Sequence, residues 1–268
     1  MSISINGSNY VNSSATQSSA SSQDSLSSGK RINSAADDAA GLQISNRLTS
    51  QIDGNGQAIA NSITGVSVTQ IAQGSLESIT NDLNSLRELA IQAGNGAYSA
   101  ADRDALQDQA NQLLENIQST LGSTTFGGQE LLTQDGAIDF QVGADANNTL
   151  GVRTADLNDT FTSAGLTSFD ITDVSSLDDA IAAVDQSIES IGALNAEYGA
   201  TQNAFSARVD NLLNGQVNES SARSRIEDAD IAGVVSSQVV TDILERSSIA
   251  VQAQANADAN RALNLLGS

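Results

Sequence analysis

Leu76-Glu77-Ser78-Ile79-Thr80-Asn81-Asp82-Leu83-Asn84-Ser85-Leu86-Arg87-Glu88-Leu89-Ala90 sets apolar residues at 76, 79, 83, 86 and 90, with gaps alternating between three and four. That spacing draws one apolar stripe along an α-helix and is the repeat of a coiled-coil seam. Upstream, Ile59, Ile63 and Val66 follow the same rule. Further back, Asp37 and Asp38 precede Ala39, Ala40, Leu42 and Ile44. Carboxylates at a helix start are favoured by the unpaired N–H groups there. The spacing therefore predicts one long helix from about Asp37 to about Gly94. Gly54, Gly56, Gly65 and Gly74 lie inside it. Each costs up to about 1 kcal/mol where exposed, and each permits close approach of another helix.

Gly94-Asn95-Gly96 ends that helix. Ser99 or Ala100 opens a second, with Leu106, Ala110, Leu113, Ile117 and Leu121 as its stripe and Gly122 as its stop. The short connection predicts an antiparallel hairpin of helices. The character then changes. Thr124-Thr125-Phe126-Gly127-Gly128, Leu131-Leu132, Ile138 to Gly143 and Thr149 to Val152 read as short strands and turns. Residues 153–176, rich in Ser, Thr and Asp, read as a surface loop. Ser175 or Ser176 caps a third helix with a regular stripe: Leu177, Ile181, Val184, Ile188, Ile191, Leu194, Tyr198, Phe205, Val209 and Leu212. Its predicted end is Gly215. A last helix is predicted from Glu227 or Asp228 to Leu266, packing through Ile231, Val235, Val239, Ile243, Ala250, Ala253 and Ala257.

Composition points the same way. Hydrophobic residues make up 39% of the chain but aromatics only 3%, too few to fill a thick globular core. Ala, Leu, Ile and Val suffice for seams between long helices. Proline is absent, so the strongest helix breaker is missing. The fold class expected is mainly α: an elongated antiparallel helical bundle or coiled coil with a small β-rich patch and both termini at one end. The formal charge of −21 disfavours nucleic acid as a partner. With no histidine or cysteine there is no Ser-His-Asp triad, no cysteine nucleophile and no histidine-bearing zinc site. No cofactor, metal site or enzymatic activity is expected. No stretch approaches the length of a membrane span. The opening Met1-Ser2-Ile3-Ser4-Ile5-Asn6 has no basic region followed by an apolar run. The expectation is a cytosolic chain, or one exported without a cleaved signal peptide.

Four stretches resemble bacterial flagellin. Leu26-Ser27-Ser28-Gly29-Lys30-Arg31-Ile32-Asn33-Ser34-Ala35-Ala36-Asp37-Asp38-Ala39-Ala40-Gly41 and on to Arg47 is similar to the family's N-terminal signature. Thr124 to Gly128 resembles its turn after the second helix. Ser220-Ser221-Ala222-Arg223-Ser224-Arg225-Ile226-Glu227-Asp228 and Ala253-Gln254-Ala255-Asn256 resemble its C-terminal signature. The resemblance spans nearly the whole chain in the right order. It implies that residues 1–36 and 226–268 pair as the inner coiled coil of a filament tube. Residues 37–225 would form the outer tube, with a β patch at about 124–152 and a short variable loop at about 153–176. The short middle implies no large projecting domain. The resemblance further implies a self-assembling subunit of the extracellular flagellar filament, the motility propeller. Its implied partners are copies of itself, an export chaperone, and cap and junction proteins.

Two departures stand out. Residues 13–28 carry fewer leucines than the family's first helix, and Asp258-Ala259-Asn260-Arg261 replaces a tail that often holds a proline. The family is also recognised by a Toll-like receptor. Arg87, Glu88 and Leu89 match that epitope, but Ser85 stands where recognised members carry a second arginine. Loss of a charged contact at a hot spot weakens binding, so the expectation is against strong activation.

The assembly candidates are Arg31, Asn33, Asp37 and Asp38 at the front and Arg225, Glu227 and Asp228 at the back. One reading makes them a helix start and solvated turn. The other makes them contacts between subunits, since each cluster carries both charge signs. Physically, the Ser-rich segment before Arg31 buries too little apolar area to offset backbone ordering at about 1–2 kcal/mol per residue. It is expected to order on packing with neighbours. Two alternatives remain: a hook–filament junction protein, and a secreted coiled-coil effector or adhesin that binds a receptor without polymerising.

Overall fold

The computed structural model describes the backbone of residues 6–266, and side chains over 17–255 and at 257, 258 and 261. Parts of the terminal segments proposed from sequence, Met1–Ile5 and Gly267–Ser268, lie outside the described residues, as do the side chains of Val11, Ala15, Leu263 and Leu266. The elements are α1 (Asn6–Ser28), α2 (Ala35–Ala93), α3 (Ala100–Ser123), β1 (Thr125–Phe126), β2 (Gln129–Glu130), β3 (Thr133–Gln141), β4 (Thr149–Asp156), α4 (Leu157–Ala164), α5 (Leu177–Glu227) and α6 (Ile231–Leu266). Short 3-10 turns lie at Leu166–Ser168 and Val174–Ser176. Contacts divide the chain into two compact units, residues 1–52 with 217–268, and residues 53–216. The division falls inside α2 and α5 because the first turns of α2 and the last turns of α5 bond with the terminal connectors.

The larger unit is built on the stripe read from the sequence. Leu76, Ile79, Leu83, Leu86 and Ala90 are fully buried. They share one core with Leu106, Ala110, Ile117 and Leu121 of α3 and with Leu177, Val184, Ile191, Leu194, Tyr198 and Phe205 of α5. α2 and α5 run antiparallel, as three cross-contacts show. Arg87 pairs with Asp185 at 2.7 Å, Gln73 bonds Asn195 at 3.1 Å, and Gly65 sits under Phe205. Any Cβ on residue 65 would overlap the Phe205 ring. That close approach explains the glycine inside a helix. Phe205 also meets Phe140 of β3 edge-on, with centroids 5.8 Å apart, a favoured aromatic geometry.

α3 opens with a capping box. Ser99 accepts from the Asp102 N–H while the Asp102 carboxylate accepts from the Ser99 N–H at 2.9 Å. These bonds, led by the Ser99 backbone donor, hold the Asp102 carboxyl below its ordinary range.

β1 pairs with β2 and β3 with β4, both antiparallel. Residues 153–176 are not the predicted surface loop. β4 runs to Asp156, Asp156 caps α4, and Leu157, Phe161, Leu166, Phe169 and Ile171 are buried in the core. The Ser, Thr and Asp residues that suggested a loop serve as caps and turn acceptors: Asp156 for the Asp159 N–H, Asp170 for the Thr172 N–H and Asp173 for the Ser175 N–H.

Gly215 does not end the third helix, since α5 continues to Glu227. One glycine costs about 1 kcal/mol in a helix interior, which tertiary packing overrides. α6 begins at Ile231, after the predicted start, because Asp230 accepts the Gly233 N–H at its first turn.

Candidate functional site

The smaller unit holds both terminal helices and the connectors that lead into them. α1 ends at Gly29, whose φ of 71° lies in the left-handed region that glycine alone adopts freely. An extended strap follows. Lys30 forms an antiparallel bridge with Asp228. The Arg31 N–H donates to the Glu227 carbonyl at 2.6 Å, and the Ala229 N–H donates to the Gly29 carbonyl at 3.0 Å. The Arg31 guanidinium donates to the Ile226 carbonyl at 2.7 Å. The connector from α1 to α2 is thus stitched to the connector from α5 to α6.

One side chain anchors this clamp. Glu227 is only 7% exposed. One carboxylate oxygen takes the Lys30 ammonium, and the other accepts from the Ser45 hydroxyl. One turn away, Arg223 donates to the Thr49 hydroxyl at 3.3 Å. The Lys30 bond first, and then the Ser45 bond, hold the Glu227 carboxyl below its ordinary range, outweighing the desolvation that opposes them. A folded-state value depressed in this way stabilises the clamp above the unfolded value. The contribution is lost as pH falls through the folded value.

The remaining predicted residues have local duties. The Asp37 carboxylate accepts from the Ser34 N–H at 2.8 Å and from the Asn33 N–H at 3.1 Å, which lowers its proton affinity. The Asn33 amide donates to the Lys30 carbonyl at 3.2 Å. Asp38 has extended backbone and accepts the Gly41 N–H at 2.8 Å, so it caps the main run of α2. Arg225 is exposed in the last turn of α5, where a cation complements the helix dipole. The structure therefore gathers Arg31, Glu227 and Asp228 into one clamp, assigns Asn33, Asp37 and Asp38 to the turn and cap, and leaves Arg225 apart. Lys30 and Ser45 were missed. The one available signal was that Lys30 is the single lysine of the chain.

Beyond the clamp, α1 and α6 pack antiparallel. Over the described side chains their contact is mostly polar. Ser19, Ser22, Ser25 and Leu26 are half-buried on α1, facing Val234, Gln238, Asp242, Glu245 and Ser248 on α6. Gln238 donates to the Ser19 hydroxyl at 2.9 Å. The apolar face predicted to pack is turned outward. Ile231, Val235, Val239 and Ile243 are exposed, joined by Val240, Leu244, Ile249 and Val251, the last at 68%. Ala250, Ala253 and Ala257 are exposed as well. The apolar residues of α6 wrap most of its circumference, and a single slender α1 covers only the remaining polar side. An uncovered row of large aliphatics on a helix belongs in a buried setting.

In the larger unit, the epitope-like segment shows Arg87 tied to Asp185, Glu88 exposed and Leu89 half-buried. The Ser85 hydroxyl turns back to the Asn81 carbonyl at 3.0 Å.

Family models match both ends: the bacterial flagellin N-terminal helical region over residues 2–137, and the bacterial flagellin C-terminal helical region over residues 181–266. The chain belongs to the bacterial flagellin family. A flagellin from Halalkalibacterium halodurans is 37% identical, aligned over 90% of this chain and 89% of its own length. The flagellar filament 30.7 kDa core protein of Treponema maltophilum is 34% identical, over 90% of each. Among solved structures, Bacillus cereus flagellin superposes with a TM-score of 0.52 at 26% identity, covering 57% of this chain and 88% of that one. A putative flagellar hook-associated protein from Vibrio parahaemolyticus reaches a TM-score of 0.63 over 72% of this chain and all of its own, but at 12% identity it speaks to the fold alone. This flagellin is a structural subunit of the flagellar filament, and its assembly is homopolymeric. Among the described residues, no helix is long and apolar enough to cross a membrane.

Proposed function

We propose that the driving contact for polymerisation is the outward apolar surface of α6, covered in the filament by terminal helices of neighbouring copies. The observation that carries this is the inversion within the terminal pair. Serines and glutamine face inward, while Ile231, Val235, Val239 and Ile243 face solvent. Burying one such side chain contributes about 1.5–3 kcal/mol. Eight exposed large aliphatics on one helix make its cover by neighbouring copies strongly favourable. A head-to-tail contact that does not close propagates as a helix of subunits.

Arg225, exposed and outside the clamp, is the cluster residue free to meet a neighbour. Arg31, Asn33, Asp37, Asp38, Glu227 and Asp228 hold the connector geometry that presents the terminal pair. Before assembly the same α6 surface needs cover, which suits an export chaperone, and cap and junction proteins would meet it at the filament ends. The subunit is non-enzymatic on this reading, as membership of a family of structural proteins supports. The tie of Arg87 to Asp185 and the serine at 85 support weak engagement of a Toll-like receptor.

Electron microscopy and sedimentation of Ile243→Asp and Val239→Asp test the proposal. Filaments are expected to be lost while the circular dichroism of the larger unit's helices persists. Filaments of normal yield and length from both variants would refute it.

A further inference from the structure

We infer that Asn95 is a self-modification site, where the chain converts its own asparagine to aspartate and isoaspartate. The Asn-Gly dipeptide occurs at 6, 55, 95 and 214. Intramolecular attack needs the glycine N–H free and able to swing onto the asparagine side-chain carbon. In a helix that N–H is bonded to a carbonyl one turn back, and the backbone is held away from the required angle. Asn55-Gly56 lies inside α2 with Asn55 buried, and Asn214-Gly215 lies inside α5. Asn6-Gly7 opens α1, at the edge of the described residues.

Asn95-Gly96 is different on four counts. It sits in the non-helical turn between α2 and α3, and both residues are exposed. Nothing lies within 4 Å of where a Gly96 Cβ would stand, so the space beside the turn is open. The Ala97 N–H donates to the Asn95 side-chain oxygen at 3.1 Å. That donor polarises the carbonyl under attack and stabilises the negative charge that develops on its oxygen.

The step balances without any redox partner. The Gly96 nitrogen loses its proton to solvent and bonds to the Asn95 side-chain carbon. The bond from that carbon to the amide nitrogen breaks, and the nitrogen leaves as ammonia after taking up a proton. Water then opens the cyclic imide at either carbonyl, giving aspartate or isoaspartate. Each event adds one carboxylate. The isoaspartyl product also lengthens the main chain by a methylene. The Asn95 carbonyl that now accepts the Tyr98 N–H at 3.1 Å is then displaced, and the α2–α3 turn loosens.

The full chain, incubated in mildly alkaline buffer at body temperature, supplies the test. Cleavage after arginine separates the three dipeptides into peptides 48–87, 88–103 and 209–223. Fragment mass spectrometry then reads the amide-to-acid mass gain at each site, and an isoaspartyl methyltransferase reports the isoaspartyl form. Asn95 should convert at least about tenfold faster than Asn55 or Asn214, in keeping with a donor on the developing oxyanion. Gly96→Ala fits the open space and the ordinary backbone there, and it should slow the conversion sharply without changing the fold. Asn95→Gln should abolish the signal in peptide 88–103. Equal or faster conversion at Asn55 or Asn214, or an unchanged Asn95 rate in Gly96→Ala, overturns the assignment.

Discussion

Replacing Glu227 by alanine should open the clamp that joins the two terminal connectors. Two losses combine. The Ser45 hydroxyl is left buried without its acceptor, which costs about 1–3 kcal/mol. Lys30 is half-exposed, with 51% of its side chain accessible, so its ion pair contributes only about 0–1 kcal/mol. The sum centres on about 2.5 kcal/mol for the local opening, and each ~1.4 kcal/mol is a factor of about 10. Protection of the Arg31 and Ala229 amides, which bond across the clamp, should therefore fall roughly 100-fold in hydrogen exchange read residue by residue. Glu227→Gln keeps an acceptor for Ser45 and loses only the charge, so its loss should be about tenfold or less. The two variants also separate in their pH dependence. The Glu227 carboxyl is depressed by Lys30 and Ser45, so wild-type protection should decline as pH falls below the ordinary carboxylate range. Arg223 adds to the depression, and Asp37, itself depressed by its bonds to Ser34 and Asn33, supplies a second acid-sensitive contribution. Glu227→Gln should remove the Glu227 part of that slope. Unchanged amide protection in Glu227→Ala, or an acid slope identical in wild type and Glu227→Gln, would refute the reasoning.

Three other outcomes are expected. Gly65→Ala drives a methyl into the Phe205 ring; overpacking at about 1–3 kcal/mol outweighs the gain in helix propensity of up to about 1 kcal/mol, so urea unfolding should shift to lower concentration. Tyr198→Phe should leave stability unchanged or raise it by about 1 kcal/mol, because the buried Tyr198 hydroxyl has no hydrogen-bond partner among the described residues. Burial pushes the Tyr198 phenol up to about 12 from 10.0; wild type should thus lose stability as pH rises through that window, and the phenylalanine variant should lose less. Arg225→Ala should lower filament yield in a pelleting assay while the thermal unfolding of the monomer is unchanged, in contrast to Asp38→Ala, which also removes a helix cap worth about 1 kcal/mol.

The sequence by itself determined what one element can decide alone. The alternating gaps from Leu76 to Ala90 placed a buried stripe on α2, and the start of α3 at Ser99 or Ala100 was legible after the Gly94-Asn95-Gly96 break. In both cases the partners lie within a few residues of each other. The flagellin signatures at the two ends were legible for the same reason, as contiguous runs. Only the tertiary structure decided which side of α6 is covered. Periodicity reports how apolar residues are distributed around a helix, but α6 is apolar over most of its circumference, and the partner's width selects the covered side. The buried role of residues 157–171 was also hidden, since caps and loops draw on the same Ser, Thr and Asp. Least visible was the clamp. Ser45 and Glu227 are 182 positions apart, and no local pattern brings them together. Their contact arises where the first turns of α2 lie beside the last turns of α5, a pairing that only the folded chain makes.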